Sequence, residues 1–248
     1  MKNALIGFIF LLSFSTHAQI LNIESFRIKT DTIGWAGKIG LDFSLIKNTK
    51  SLTKIGNNTH IQYKTNKSLI LLLGQYQLMV SDGTDLIDKA VLHLRYNYNF
   101  TRVVIGEWFV QGQRNSISKI DFRGLAGAGL RFKLSKKQQF KYYLGTTAMF
   151  EHEETTMQTT QDLWRWSNYF SFSWYPAKTL SLVSTTYYQP AFSDFSDYRI
   201  FSQNSLYFLV SMHLSFKTGF NFNFDSTPVA GVPDTQYSLT SGLVYVFK

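Results

Sequence analysis

The sequence predicts an all-β protein: a transmembrane, antiparallel, up-and-down β-barrel of about 12 strands. Three observations lead there. Past residue 33, apolar and polar side chains alternate with the two-residue period of an extended strand almost everywhere. No apolar run beyond the N-terminus approaches the roughly 20 residues a membrane helix needs, and the longest, SLILLLGQYQLMV, is interrupted by Gly74, Gln75 and Gln77. The turns between the alternating segments also divide by parity into tight and long ones, as in barrels whose two ends face different compartments.

The start of the chain reads as a targeting segment. MKNALIGFIFLLSFSTHAQ places Lys2 before an apolar run from Ala4 to Leu12 and a small-residue exit at Thr16-His17-Ala18. This is the pattern of a secretory signal peptide over residues 1–18, with a core too short to anchor. Residues 19–32 are then expected as an N-terminal periplasmic segment and 33–248 as the barrel, in the outer membrane of a Gram-negative envelope. Cysteine is absent, which excludes disulfides, thiolate metal sites, cysteine nucleophiles and a lipid-modified N-terminus. The formal charge is +9, but basic residues are scattered singly along strands, so no nucleic-acid partner is expected.

Dividing the chain at turn signals gives strands at 33–46, 52–64, 68–80, 86–99, 102–114 and 118–134, then 139–153, 162–175, 178–191, 198–210, 214–225 and 235–247. The number is even, as single-chain bacterial barrels require, and the strands exceed the usual five or six residues of globular sheets. With the N-terminus in the periplasm, the long connections at 154–161, 192–197 and 226–234 all lie outside the cell.

Period two assigns faces. Within AVLHLRYNYNF, Leu92, Leu94, Tyr96 and Tyr98 oppose His93, Arg95 and Asn97, and within LWRWSNYFSFSW, Trp164, Trp166 and Phe170 oppose Arg165, Ser167 and Ser171. Trp35 and Phe43 in the first strand, Phe220 and Phe222 in the eleventh, and Tyr245 and Phe247 in the last complete the aromatic set expected to face outer-membrane lipid. Closure would set the last strand beside the first, leaving no unpaired edge. A terminal strand ending near an aromatic also resembles the signal read by barrel-assembly machinery, although Lys248 follows Phe247.

Four stretches carry a family resemblance: IGNNTHIQYKT, LIDKAVLHLRYNYNF, KIDFRGLAGAGLRFKLSKKQQFKYYLGTTAMFEHEE and FNFDSTPVAGVPDTQYSLTSGLVYVFK. Together they look like the salt-induced outer membrane protein family, an uncharacterised barrel group. The resemblance implies a monomeric outer-membrane barrel with no assigned chemistry and no catalytic residues.

Candidate chemistry is therefore weighed residue by residue. His213 and Ser215 are spaced similarly to residues of outer-membrane phospholipases, but they fall at a periplasmic turn, away from the outer leaflet. Glu151-His152-Glu153-Glu154 could bind a cation or form a solvated charge run. Gly124, Gly127 and Gly129 precede no helix, so they fit close strand packing better than a phosphate loop. The inward phase places Lys38, His60, Lys64, Arg95, Arg123, Arg131, Lys133 and Arg165 in the lumen, with Asp42, Glu107, Glu151 and Asp225 as acidic partners. A basic zone opposing few acids predicts either a narrow channel for small anionic solutes or a closed structural barrel for envelope stress. Neither is an enzyme, and neither implies a cofactor or metal.

Overall fold

The computed structural model describes residues 33–47, 51–135, 137, 139–177, 179–211 and 214–245. The targeting and periplasmic segments, His213 and Phe247 lie outside the described residues. Twelve strands form one antiparallel sheet in sequence order: β1 (Gly34–Lys47), β2 (Ser51–Lys64), β3 (Ser68–Ser81), β4 (Thr84–Asn99), β5 (Val104–Asn115), β6 (Ile120–Lys133), β7 (Phe140–Thr155), β8 (Thr160–Ala177), β9 (Leu180–Pro190), β10 (Tyr198–Leu209), β11 (Leu214–Asp225) and β12 (Thr235–Tyr245). This is the up-and-down fold read from the alternation. No helix among the described residues is long and apolar enough to cross a membrane.

The turns show why these strands end where they do. Between β3 and β4, Asp82 (φ 49°) and Gly83 (φ 80°) both take the left-handed conformation, the requirement of a two-residue hairpin whose twist matches its strands. After β5 a single 3-10 turn, Ser116–Ser118, replaces the expected start of the sixth strand; the Asn115 side chain accepts from the Ile117 amide and Lys119 is left-handed at φ 55°. The seventh and eighth strands run further outward than the turn signals suggested, because their ladder continues to Glu154 and Thr160. The asymmetry of the connections is therefore carried chiefly by the loops at 191–197 and 226–234.

Contacts between strands that are not neighbours show that the sheet is rolled. The Tyr169 hydroxyl on β8 donates to Glu107 on β5 (2.6 Å), and Arg199 on β10 donates to Glu151 on β7 (2.6 Å). No ladder joins β1 to β12 among the described residues, so the expected pairing of first and last strands is not part of the described sheet.

The convex face is apolar. Trp35, Phe43, Trp164, Trp166, Phe170 and Phe220 are all exposed on it, and Phe222 is half-buried there. Tyr245 pairs with Leu214 at the end of β12. Aromatic contacts collect at two levels. At one end lie Trp35–Tyr63 (4.9 Å between centroids), Tyr96–Trp108 (5.7 Å) and Phe140–Trp174 (6.0 Å). At the other lie Phe150–Trp164 (5.5 Å), Tyr188–Tyr198 (5.6 Å) and Tyr198–Phe224 (5.5 Å). An apolar band between two aromatic girdles is how a barrel matches a bilayer and its two interfaces.

Phe170 projects from this band, 46 % exposed. Phe170→Arg should cost about 2–4 kcal/mol of folding free energy in vesicles, the charge penalty of the lipid face, whereas Phe170→Leu should be tolerated. The fraction of refolded protein that migrates differently before and after boiling measures both.

Candidate functional site

The concave face is built by the same alternation and is packed with charged side chains. Its register runs Arg95 opposite Phe109, Asn97 opposite Glu107, Glu107 opposite Gly129 and Gly129 opposite Thr147, so strands β4 to β7 present their polar residues side by side. Glu107 is the hub of the first cluster. It lies 3.4 Å from Arg95 Nη1 and 3.5 Å from Arg131 Nη1, and it also accepts the Tyr169 hydroxyl bond. The Arg131 guanidinium sits 3.8 Å from the centre of the Tyr143 ring and that of Arg95 5.4 Å from the Phe109 ring, so aromatic faces cover what the carboxylate does not.

Glycines make room for these rings. A side chain at Gly145 would collide with the Tyr169 ring, and a Cβ at Gly127 would lie 2.6 Å from Phe109. The run RGLAGAGL thus serves close packing, the alternative to a phosphate loop.

The second cluster joins β6, β7, β8, β10 and β11. Arg199 directs Nη1 to Glu151 (2.6 Å), Nη2 to Glu153 (3.2 Å) and Nε to Asp225 (2.8 Å). Arg165 directs Nε to Glu151 (3.2 Å) and grips Asp197 through Nη1 (3.0 Å) and Nη2 (3.3 Å). Arg123 pairs with Glu153. Asp197 is held for this role by its loop: its amide donates to the Asp194 carbonyl (3.0 Å) and Thr227 donates to its Oδ1 (3.0 Å). In the same loop the Ser196 hydroxyl and then its backbone N–H hold the Asp194 carboxyl below its ordinary pKa.

Between the clusters, Leu125, Met149, Gln111 and Ser167 surround a void of only about 20 Å³, room for about one water molecule. Above the second cluster, Pro228, Val229, Val232 and Pro233 of the 226–234 loop lean over Arg123, Glu153, Arg199 and Asp225, leaving about 30 Å³. Lys119 Nζ ties that loop down through the Ala230 carbonyl (2.7 Å). Arg131 and Arg165 are wholly inaccessible to solvent, and Glu107 and Glu151 nearly so.

The charges expected inside are thus distributed unevenly. Arg95, Arg123, Arg131, Arg165, Glu107 and Glu151 are buried on the inner face, while Lys133 is exposed near the end of β6. Lys38 is in register with His60, and Asp42 with Gly56. Asp42 is exposed and borders a polar recess of about 180 Å³ with Lys54, Gln75, Gln77 and Lys89.

The arginines do not form a basic zone opposing few acids. The buried arginines 95, 123, 131, 165 and 199 meet Glu107, Glu151, Glu153, Asp197 and Asp225, which balances their charge. Arg199 and Asp197 were not legible as partners, because Phe201 is an inward apolar residue that blurs the alternation of β10 and Asp197 belongs to a loop. The run Glu151 to Glu154 splits by face. Glu151 and Glu153 are buried inside, while His152 is bound outside by Asp162 (2.6 Å) and Glu154 (3.2 Å). Among the described residues no group of side chains is arranged to hold a metal ion.

A family model described as "Protein of unknown function, DUF481" matches residues 39–247. The chain belongs to this family. Its fold is also that of a solved porin: a NanC porin in a rhombohedral crystal form superposes with a TM-score of 0.51 at 7 % identity, covering 84 % of this chain and all of that one. A chain from a study of in-meso crystallization of membrane proteins covers 86 % of this chain and 83 % of its own, at 12 % identity and a TM-score of 0.38. No curated protein matches.

Glu107 is the single carboxylate between two buried guanidinium groups. Glu107→Gln should therefore destabilise the barrel by about 3–5 kcal/mol, the cost of leaving buried charge uncompensated. Tyr169→Phe should cost about 1.5–3 kcal/mol, one hydrogen bond to a charged acceptor. Urea unfolding in vesicles measures both.

Proposed function

We propose that this DUF481 protein is an outer-membrane β-barrel, delivered through the signal peptide read at its N-terminus, whose lumen is closed to solutes by its own side chains. The observation that carries this reading is the complete burial of Arg131 and Arg165 at two separate positions along the lumen, Arg131 locked to Glu107 and Arg165 to Glu151 and the loop residue Asp197. A pore that conducts needs a continuous hydrated path. Here that path is interrupted at the Glu107 cluster, at the Glu151 cluster and again under the 226–234 loop.

The girdled outer face supports lipid as the surrounding solvent and, with the terminal strand, the barrel-assembly machinery as the route of insertion. No catalytic chemistry or cofactor enters this reading. A sealed, salt-bridged barrel also fits a role in envelope-stress tolerance, since it adds a folded span to the membrane without adding a leak.

The recess beside β1 favours one second reading, a narrow passage for a small solute along the β1–β4 side, where Lys54 and Lys89 would meet an anion and Asp42 a cation. Planar bilayer recording separates the two. Refolded protein should add no steady conductance over the bare bilayer at moderate voltage. Discrete openings with a defined reversal potential would establish the passage and overturn the closed barrel.

A further inference from the structure

The convex face is not uniform: polar pairs interrupt it at Asn57–Thr59, Thr146–Asn168 and Thr218–Ser241, and its widest polar patch lies on β9 and β10. From β4 to β6 it presents Leu92, Leu94, Val110, Ala126, Ala128 and Leu130. On β9 and β10 the same face instead presents Ser184, Thr186, Ser202 and Asn204, because Thr185 and Gln203 occupy the inward phase. These four residues tile two ladder rows, with Thr186 opposite Ser202 and Ser184 opposite Asn204.

Their side chains bond to one another. Ser184 donates to Asn204 Oδ1 (2.7 Å), the Asn204 amide donates to Ser202 (3.2 Å), and the hydroxyls of Thr186 and Ser202 are 2.9 Å apart. The tile is framed on both sides by aromatics: Phe170 and Phe172 of β8 stand beside Thr186 and Ser184, and Phe222 and Phe220 of β11 beside Ser202 and Asn204. Toward the loop end the Tyr188–Tyr198 pair closes it, and toward the other end Leu182 and Leu206. It therefore lies inside the apolar band, below the girdle.

Lipid tails can offer these groups nothing. Hydroxyls and an amide both donate and accept, and each retains bonding capacity beyond the bonds described, an amide having two N–H donors and two lone pairs. In a bilayer such groups drive proteins together, since the alternative is an unmet polar group in hydrocarbon. We infer that the outward Ser184–Thr186–Ser202–Asn204 tile is the contact face for a second copy of this chain, forming a two-fold dimer in the membrane.

Self-complementarity is what selects a second copy. A two-fold axis beside the β9–β10 pair faces the tile with itself, so the spare amide N–H and spare hydroxyl donor of one copy meet lone pairs of the other. The phenylalanine rows on β8 and β11 then supply an apolar rim. No charged residue occupies the outward phase of these strands between Thr186 and Leu182 or between Ser202 and Leu206, so like-charge repulsion does not oppose the pairing. This inference rests on the membrane-barrel reading and departs from the monomer that the family resemblance implies.

The absence of cysteine makes the test direct. In vesicles of refolded protein, an oxidant should link Ser202→Cys into covalent dimers. Val110→Cys, outward on β5, should remain single. Asn204→Leu, which suits lipid better than asparagine, should nonetheless lower the dimer association constant about tenfold, equivalent to about 1.4 kcal/mol. Its heat-modifiable migration should be unchanged. Cross-linking of Ser202→Cys no greater than that of Val110→Cys, or an unchanged dimer fraction in Asn204→Leu, would overturn the inference. Should either variant fail to fold, the mass of the wild-type protein in mild detergent decides: a dimer supports the contact and a monomer overturns it. Failure of the wild-type protein itself to insert and show heat-modifiable migration would instead contradict the barrel on which the inference rests.

Discussion

A guanidinium removed from water must find carboxylates, because the effective penalty for burying an ion is several kcal/mol and its attraction to a partner offsets that only when the remaining donors are also bonded. The interior of this barrel is organised around that constraint. Arg199 satisfies it with three carboxylates from β7 and β11, Arg165 with Glu151 and a two-pronged grip on Asp197, and Arg95 and Arg131 by sharing Glu107. Because the partners come from other strands and, for Asp197, from a loop, the pairs also fix how the strands lie relative to one another across the lumen. The glycines at 127 and 145, the Tyr169 hydroxyl and the Asp194–Ser196 turn are arrangements that let those pairs form.

The same requirement explains the loops. Asp197 stands outside any strand, yet it is needed inside, so the 191–197 loop folds inward and is braced by its own turn and by Thr227. The 226–234 loop follows it over the mouth, with its prolines and valines on the charged cluster and Lys119 holding its far side. The inward fold of both loops is thus a consequence of neutralising the buried charges. A buried network of this kind adds less stability than an apolar core of equal volume would, but it resists rearrangement, since moving one member strands several others.

Much of the fold was legible because period-two alternation constrains every residue of a strand at once: fixing Arg95 inward fixes Leu94 and Tyr96 outward, and a one-residue slip would put charge against lipid. The inward phase of Arg123, Arg131 and Arg165 follows from that alone, and the strand count from the turn signals between the alternating runs. Pairing did not follow, since alternation says which face a residue takes and nothing about which residue of a distant strand it meets. Glu153 lay in a run that read chiefly as a solvated charge run, Asp197 in a loop, and Arg199 beside inward Phe201, so the acids that balance the arginines were undercounted and the interior read as basic. The polar tile on β9 and β10 was obscured for a related reason: in STTYYQ and FSQNSL both faces carry polar residues, and the alternation has little contrast there.

Sealing of the space between the two charged clusters from water-borne solutes can be read at one atom. Ser167 lies there, 5 % exposed, its hydroxyl accepting from Gln189 (2.8 Å). A Ser167→Cys variant of this cysteine-free chain changes an oxygen for a sulfur, and a charged, water-soluble thiol reagent can be supplied on both sides of vesicles holding the folded protein. A closed lumen gives no modification until the barrel is unfolded, and full modification afterwards. Rapid modification in the folded, heat-modifiable form would show that solute reaches the centre of the lumen and would contradict its closure.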